Sequence, residues 1–195
     1  MRFDVHKVRT YLVNELLATH RVAQVDDDGT DIIIADLASG ETVIIHLIER
    51  LLPVGEIVAT LEENGTAGRH TLFILWSDML LPEEGKPYLP DDWMELLYTL
   101  YAGKIYGYDS YGPYASVFPV FFEQHTGTML RDVHYGAPLD AARLRCDRVY
   151  VNNRFASGHW WVADFGERPR ATDTQANDYH ALFTAEVSWR PAMKS

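Results

Sequence analysis

The sequence predicts an α/β chain, α+β in overall character, and three observations carry that expectation. A helix-spaced apolar pattern opens the chain and gives way to three short strand-like runs. A second helical pattern then separates the third run from a fourth. Beyond a proline-rich stretch almost every segment alternates like a strand, which places a mainly antiparallel second half after the first. The apolar share of 47% and the aromatic share of 12% can fill a real core in 195 residues, so a disordered chain is excluded.

Residues 5–19 place Val5, Val8, Leu12, Val13, Leu16 and Leu17 at helical spacing, and Asp4 has the chemistry of an N-cap. A strand at 21–25 should follow, then a turn at Asp26-Asp27-Asp28-Gly29 and a strand at 31–37. Ser39-Gly40 turns the chain into a third strand at 42–48, whose near-continuous apolar content suits a central position buried on both faces. A helix over 55–64 stops at Asn64-Gly65 and leads to a strand at 71–76; connection through a helix favours a parallel crossover. Residues 81–90 hold three prolines and read as a linker between a 1–80 core and a 91–195 β-rich half, the two packed as one compact unit. Asp92 with Glu95 forms a capping box for a helix at 92–101. Strands follow at 104–109, 116–123, 130–135, 145–151 and 159–165, with a helix near 175–185.

Charge and cysteine content narrow the function classes. The chain carries 17 basic against 28 acidic residues, a net charge of -11. A surface built to neutralise phosphates clusters Lys and Arg, so nucleic acid is disfavoured as the main partner. Cys146 is the one cysteine, which rules out an intramolecular disulfide or a multi-thiolate metal site within the chain; its default role is a structural thiol. The mixed charge of Met1-Arg2-Phe3-Asp4 does not read as a secretory leader. No apolar run approaches the roughly 20 residues of a membrane helix, so the expected location is the cytoplasm, with no membrane partner. Phosphate-binding glycine loops and nucleophile elbows are missing from the sequence.

The order helix, three strands, helix, strand over residues 4–76 resembles the PD-(D/E)XK superfamily, the restriction-endonuclease-like fold. That resemblance implies an acid at the start of the second strand and an acid-x-Lys on the third. Together they hold a divalent metal and orient water for phosphodiester cleavage, often with a Glu from the first helix. Two carboxylates are needed because hard Mg²⁺ prefers oxygen ligands and must carry both nucleophile and developing charge. Glu15 falls on the first helix, and Asp31 stands where the metal-binding Asp would be. Alignment by hydrophobic pattern puts His46 at the acid position and Ile48 at the lysine position, so the pair is lost. Glu49, one residue further on, is an imperfect substitute because an unbulged strand turns it to the face opposite Ile48. Asp31, His46 and Glu49, with Glu15, are thus the candidate catalytic residues, and Asp31 is the candidate metal ligand. Each also fits a plain structural role: a strand-start acid, a hydrogen-bonded core histidine, a solvated helix face.

The second half offers contact chemistry instead. Seven of the eleven tyrosines lie between residues 88 and 114. Tyr98 and Tyr101 fit one helix face and Tyr106 and Tyr108 one strand face. The run suits either a binding surface, where tyrosine gives large contact area at low rotamer entropy, or a second core, and the loop with Tyr111 and Tyr114 is the favoured surface contact. Trp160 and Trp161 must point to opposite faces of one strand, so one of them is exposed or covered by another subunit; Trp160 is the candidate contact. The leading expectation is a non-catalytic scaffold or protein-interaction role on a degenerate nuclease-like core, with no cofactor and with a protein partner or self-association. The alternatives are a divergent nuclease using Mg²⁺ with Asp31 and Glu15 or Glu49, and a small-ligand binding domain.

Overall fold

A computed structural model describes residues 2–166. Helix α1, Arg2–Ala18, leads into strands β1, Val22–Asp26, β2, Ile32–Leu37, and β3, Thr42–Ile48. Helix α2, Val54–Thr66, connects β3 to β4, Arg69–Trp76. A short α3, Ser77–Leu80, and α4, Asp92–Leu100, precede β5, Lys104–Tyr111, β6, Tyr114–Gln124, and β7, Arg131–Tyr135. One 3₁₀ turn, Ala141–Arg143, then introduces β8, Arg145–Asn152, and β9, Ser157–Asp164. The fold is α+β with a β-rich second half. The helix expected near 175–185 lies outside the described residues.

Nine strands form one mixed sheet, with β1 to β7 adjacent in sequence order. The pairs β1–β2, β2–β3, β5–β6, β6–β7 and β8–β9 are antiparallel, while β3–β4 and β4–β5 are parallel. The crossover through α2 therefore delivers a parallel strand, as helical connections do. Residues 81–90 run along this sheet and bond to β7: Gly85 and Tyr88 amides donate to Val133 and Arg131 carbonyls at 3.0 and 2.9 Å.

β4 is the hinge of the architecture. Its free edge is shared, pairing with β5 over Ile74–Trp76 and with β9 at Thr71. Between those pairings a tyrosine hydroxyl completes the ladder. Tyr101, 1% exposed, accepts from the Phe73 amide at 3.2 Å and donates to the Thr71 carbonyl at 3.0 Å. The Tyr106 hydroxyl accepts from the Phe165 amide, just past the end of β9, at 3.0 Å. Beside this fork lies a buried charge cluster. Lys104 donates to the Tyr101 carbonyl at 3.0 Å and faces Asp164 at 3.5 Å, while Arg145 holds the other Asp164 oxygen at 3.2 Å. Tyr98, Tyr101, Tyr106 and Tyr108 are all buried, so the middle of the tyrosine run is core.

Helix boundaries correct three local expectations. The first helix begins at Arg2, which puts Asp4 inside its first turn rather than at its cap. α2 runs through Asn64-Gly65 and ends where Gly68 takes φ +72°. Gly65 has another use: a Cβ there would come within 3.0 Å of the Trp161 ring. At α4 the cap residue is Asp91, whose side chain makes no cap bond; Asp92 and Glu95 instead bind Arg154 at 3.0 and 3.2 Å.

Candidate functional site

A cleft of about 780 Å³ opens at the carboxyl end of β3, between the first turns of α1 and α2. Its construction begins at the β1–β2 turn. Asp27 and Asp28 side chains accept from the amides of Gly29 and Thr30 at 3.1 and 2.9 Å, the local bonding that makes acids good turn residues. Arg9, only 6% exposed on α1, pairs with Asp27 at 3.1 Å and donates to the Thr30 carbonyl. Helix and turn are thereby fixed to each other one residue before Asp31.

Register then decides which residues meet. The Leu47 amide donates to the Asp31 carbonyl at 2.8 Å, and His46 pairs with Ile32. Strand pairing therefore puts Asp31 on the side of Leu47, and Glu49 follows just past the end of β3. His46 and Ile48 fall on the other side, with Ile32 and under α2. Asp31, His46 and Glu49 all line the cleft, but they approach it from the two faces of the sheet end.

His46 is built into its own surroundings. Its Nε2 lies 3.3 Å from the Asn64 amide nitrogen, which also donates to the Thr71 hydroxyl at 2.9 Å. The ring packs on Phe73 with centroids 5.4 Å apart. Burial lowers its pKa below the ordinary histidine value, with the negative charges of Asp31 and Glu63 opposing that shift. A neutral imidazole held by an amide is what results.

The basic residues of the cleft are engaged as well. Arg50 reaches across to Glu56 in the first turn of α2 and donates to the Leu51 carbonyl at 3.1 Å. Glu15 is elsewhere: exposed on α1, it sits beside Tyr11, about 9 Å along the helix axis from Arg9. Sequence reading overlooked Arg9 and Arg50. Arg9 carried a signal, a charged residue inside the stripe Val5, Val8, Leu12, Leu16; Arg50 carried none.

A second grouping lies where the parallel pair β4–β5 ends. Asp78 on α3 and Asp109 on β5 approach Tyr111 and Tyr135 closely enough that both phenols are harder to ionise than usual. Burial is the main cause for Tyr135, and the Asp109 charge for Tyr111. Asp109 itself has a raised pKa, through burial first and the Asp78 charge second. The Tyr135 hydroxyl donates to the Pro82 carbonyl at 2.7 Å, and its amide donates to Glu84 at 3.1 Å.

No family model, curated protein or solved structure matches the chain. Its chemistry must be read from its own residues. Among the described residues no three His, Cys, Asp or Glu side chains are arranged to hold a metal ion, and no helix is long and apolar enough to cross a membrane. Cys146 is half-buried in a smaller cleft near His20, and burial pushes its thiol up to about 12, far from a nucleophile's range. Of the adjacent tryptophans, Trp160 is the buried one at 7% exposure, while Trp161 is 38% exposed. The outward ring of β9 is thus Trp161, with Arg148 stacked on it at 5.2 Å. Tyr111 and Tyr114 stand out from the β5–β6 turn, 64% and 77% exposed.

Proposed function

We propose that this chain is a non-catalytic scaffold that acts by binding another protein, on a core related in layout to the restriction-endonuclease-like fold. One observation carries the reading: the β3 residue that Asp31 meets is Leu47, a buried core leucine, and Glu49 comes only past the end of the strand, where metal-dependent cleavage would need an acid and a lysine. A second carboxylate and a cation beside the first are what such chemistry uses to hold Mg²⁺ and to stabilise developing charge. His46, on the other side and hydrogen-bonded by Asn64, is a poor replacement for either.

The test is direct. Purified chain is incubated with labelled single- and double-stranded DNA and RNA in Mg²⁺ or Mn²⁺, beside Asp31→Ala. Equal, background-level products from both are expected. Metal-dependent cleavage that disappears in Asp31→Ala would overturn the scaffold reading. It would support the second one, a divergent nuclease, which draws on the fact that Asp31 and Glu49 do line one cleft.

A further inference from the structure

Tyr111 and Tyr114 are Cα partners at the tip of the β5–β6 hairpin, so the two exposed rings rise from one place. Asp109 stands two residues before Tyr111 on β5, Asp78 is hydrogen-bonded to the Tyr111 phenol, and Met79, next to Asp78, is 61% exposed. Glu84 adds a third carboxylate through its bond to the Tyr135 amide. The Asp109 Oδ1 and the neighbouring Ser110 hydroxyl are enclosed without a hydrogen-bond partner among the described residues. Lys7 reaches the tip, its ammonium donating to the Gly112 carbonyl. Lys86 is paired with Glu83 at 2.6 Å. Among the described residues the carboxylates here, Asp78, Asp109, Glu83 and Glu84, outnumber the cations Lys7 and Lys86, and they sit next to π-faces.

We infer that the Tyr111–Tyr114 hairpin tip and the Asp78–Asp109 carboxylates form a docking surface for an arginine-bearing basic segment of a partner protein. Charge complementarity selects the occupant. A guanidinium stacks on a tyrosine face while its fork of donors reaches a carboxylate, a combination that a metal ion or an acidic peptide cannot use. Partly enclosed carboxylates exert more pull than fully solvated ones, because less water screens them. Arginine should be preferred to lysine, since the compact ammonium lacks the planar fork and is held more strongly by water. This inference rests on the scaffold reading and names the partner chemistry it would use.

The experiment titrates a short oligoarginine peptide into the full chain by calorimetry, with oligolysine as comparator. Three double variants are tested beside it: Asp78→Asn with Asp109→Asn, Tyr111→Ala with Tyr114→Ala, and Glu62→Gln with Glu63→Gln as a charge-matched control on α2. The exposed tyrosines and the isosteric amides keep the fold, which thermal unfolding verifies. Oligoarginine should bind tighter than oligolysine, and each hairpin-site variant should weaken it by about tenfold while the control leaves it unchanged. Equal weakening by the control, or no preference for arginine, would mean that the peptide responds to net charge alone and would overturn the inference. Failure here with no Asp31-dependent cleavage leaves the scaffold reading standing. Asp31-dependent cleavage removes that reading whatever the peptide does.

Discussion

Tyr101→Phe removes one oxygen atom from the centre of the sheet and nothing else. That oxygen accepts from the Phe73 amide at 3.2 Å and donates to the Thr71 carbonyl at 3.0 Å, at the point where β4 has left β9 and not yet joined β5. Thr71 and Phe73 are 0% and 2% exposed, so water does not readily replace the hydroxyl. Each buried backbone group stripped of its partner costs roughly 1–3 kcal/mol, which sets the expected loss at about 2–4 kcal/mol after partial relaxation. Urea unfolding followed by tryptophan fluorescence measures it as a lower midpoint at unchanged slope. Tyr106→Phe, which removes the bond from the Phe165 amide, should lose about half as much. The Phe73 amide should also exchange with solvent faster in Tyr101→Phe. A loss below about 0.5 kcal/mol with the Phe73 amide still protected would refute the role of this hydroxyl as the filler of a ladder gap.

The buried charges next to that gap should respond asymmetrically. Asp164→Asn removes the carboxylate facing fully buried Lys104, and a loss of about 3–5 kcal/mol is expected. Lys104→Met should cost less, because Asp164 keeps Arg145 at 3.2 Å and the Gly166 amide at 2.5 Å. Equal losses in the same urea assay would contradict this division. A pH effect should follow from His46, whose folded-state pKa lies below the unfolded value of 6.5. Between those two values the unfolded chain binds more protons, so this group's contribution is complete above about pH 6.5 and declines as pH falls toward the folded pKa. His46→Gln should flatten that decline in midpoints measured from pH 7 down to 5; an unchanged slope would show that burial does not keep the ring neutral. His70, also shifted down by burial, retains its own share of the slope in the variant.

Element order was legible because periodicity reports which faces a segment buries. The two helices joined by three strands, the parallel crossover and the later strands all came from that signal. The register of β3 was not legible. Val43 to Ile48 is apolar on both faces apart from His46, and alternation cannot set a pairing where both faces are buried. Hydrophobic alignment thus set His46 and Ile48 against Asp31, whereas hydrogen bonding sets Leu47 there. The Lys104–Asp164 pair was invisible for another reason, since its members are 60 positions apart and meet only because β9 returns to β4. Trp160 and Trp161 were correctly divided between two faces, but which face was the core depended on that same return.

Leu47 is where these threads join. It is 1% exposed, belongs to the main apolar cluster, and is also the residue Asp31 meets across β2 and β3. A catalytic carboxylate at that position would forgo roughly 2 kcal/mol of apolar burial. It would also place a second negative charge beside Asp31 in a half-enclosed site, which is tolerable only with a metal cation to compensate both. The chain instead fills the position with hydrocarbon and directs its basic groups elsewhere, Arg9 to Asp27 and Arg50 to Glu56. With the cleft's arginines already engaged and its central position part of the core, the proposed recognition role is assigned to the parts of the surface where rings and charges face outward. At the β5–β6 hairpin those are two exposed tyrosines above a pair of carboxylates.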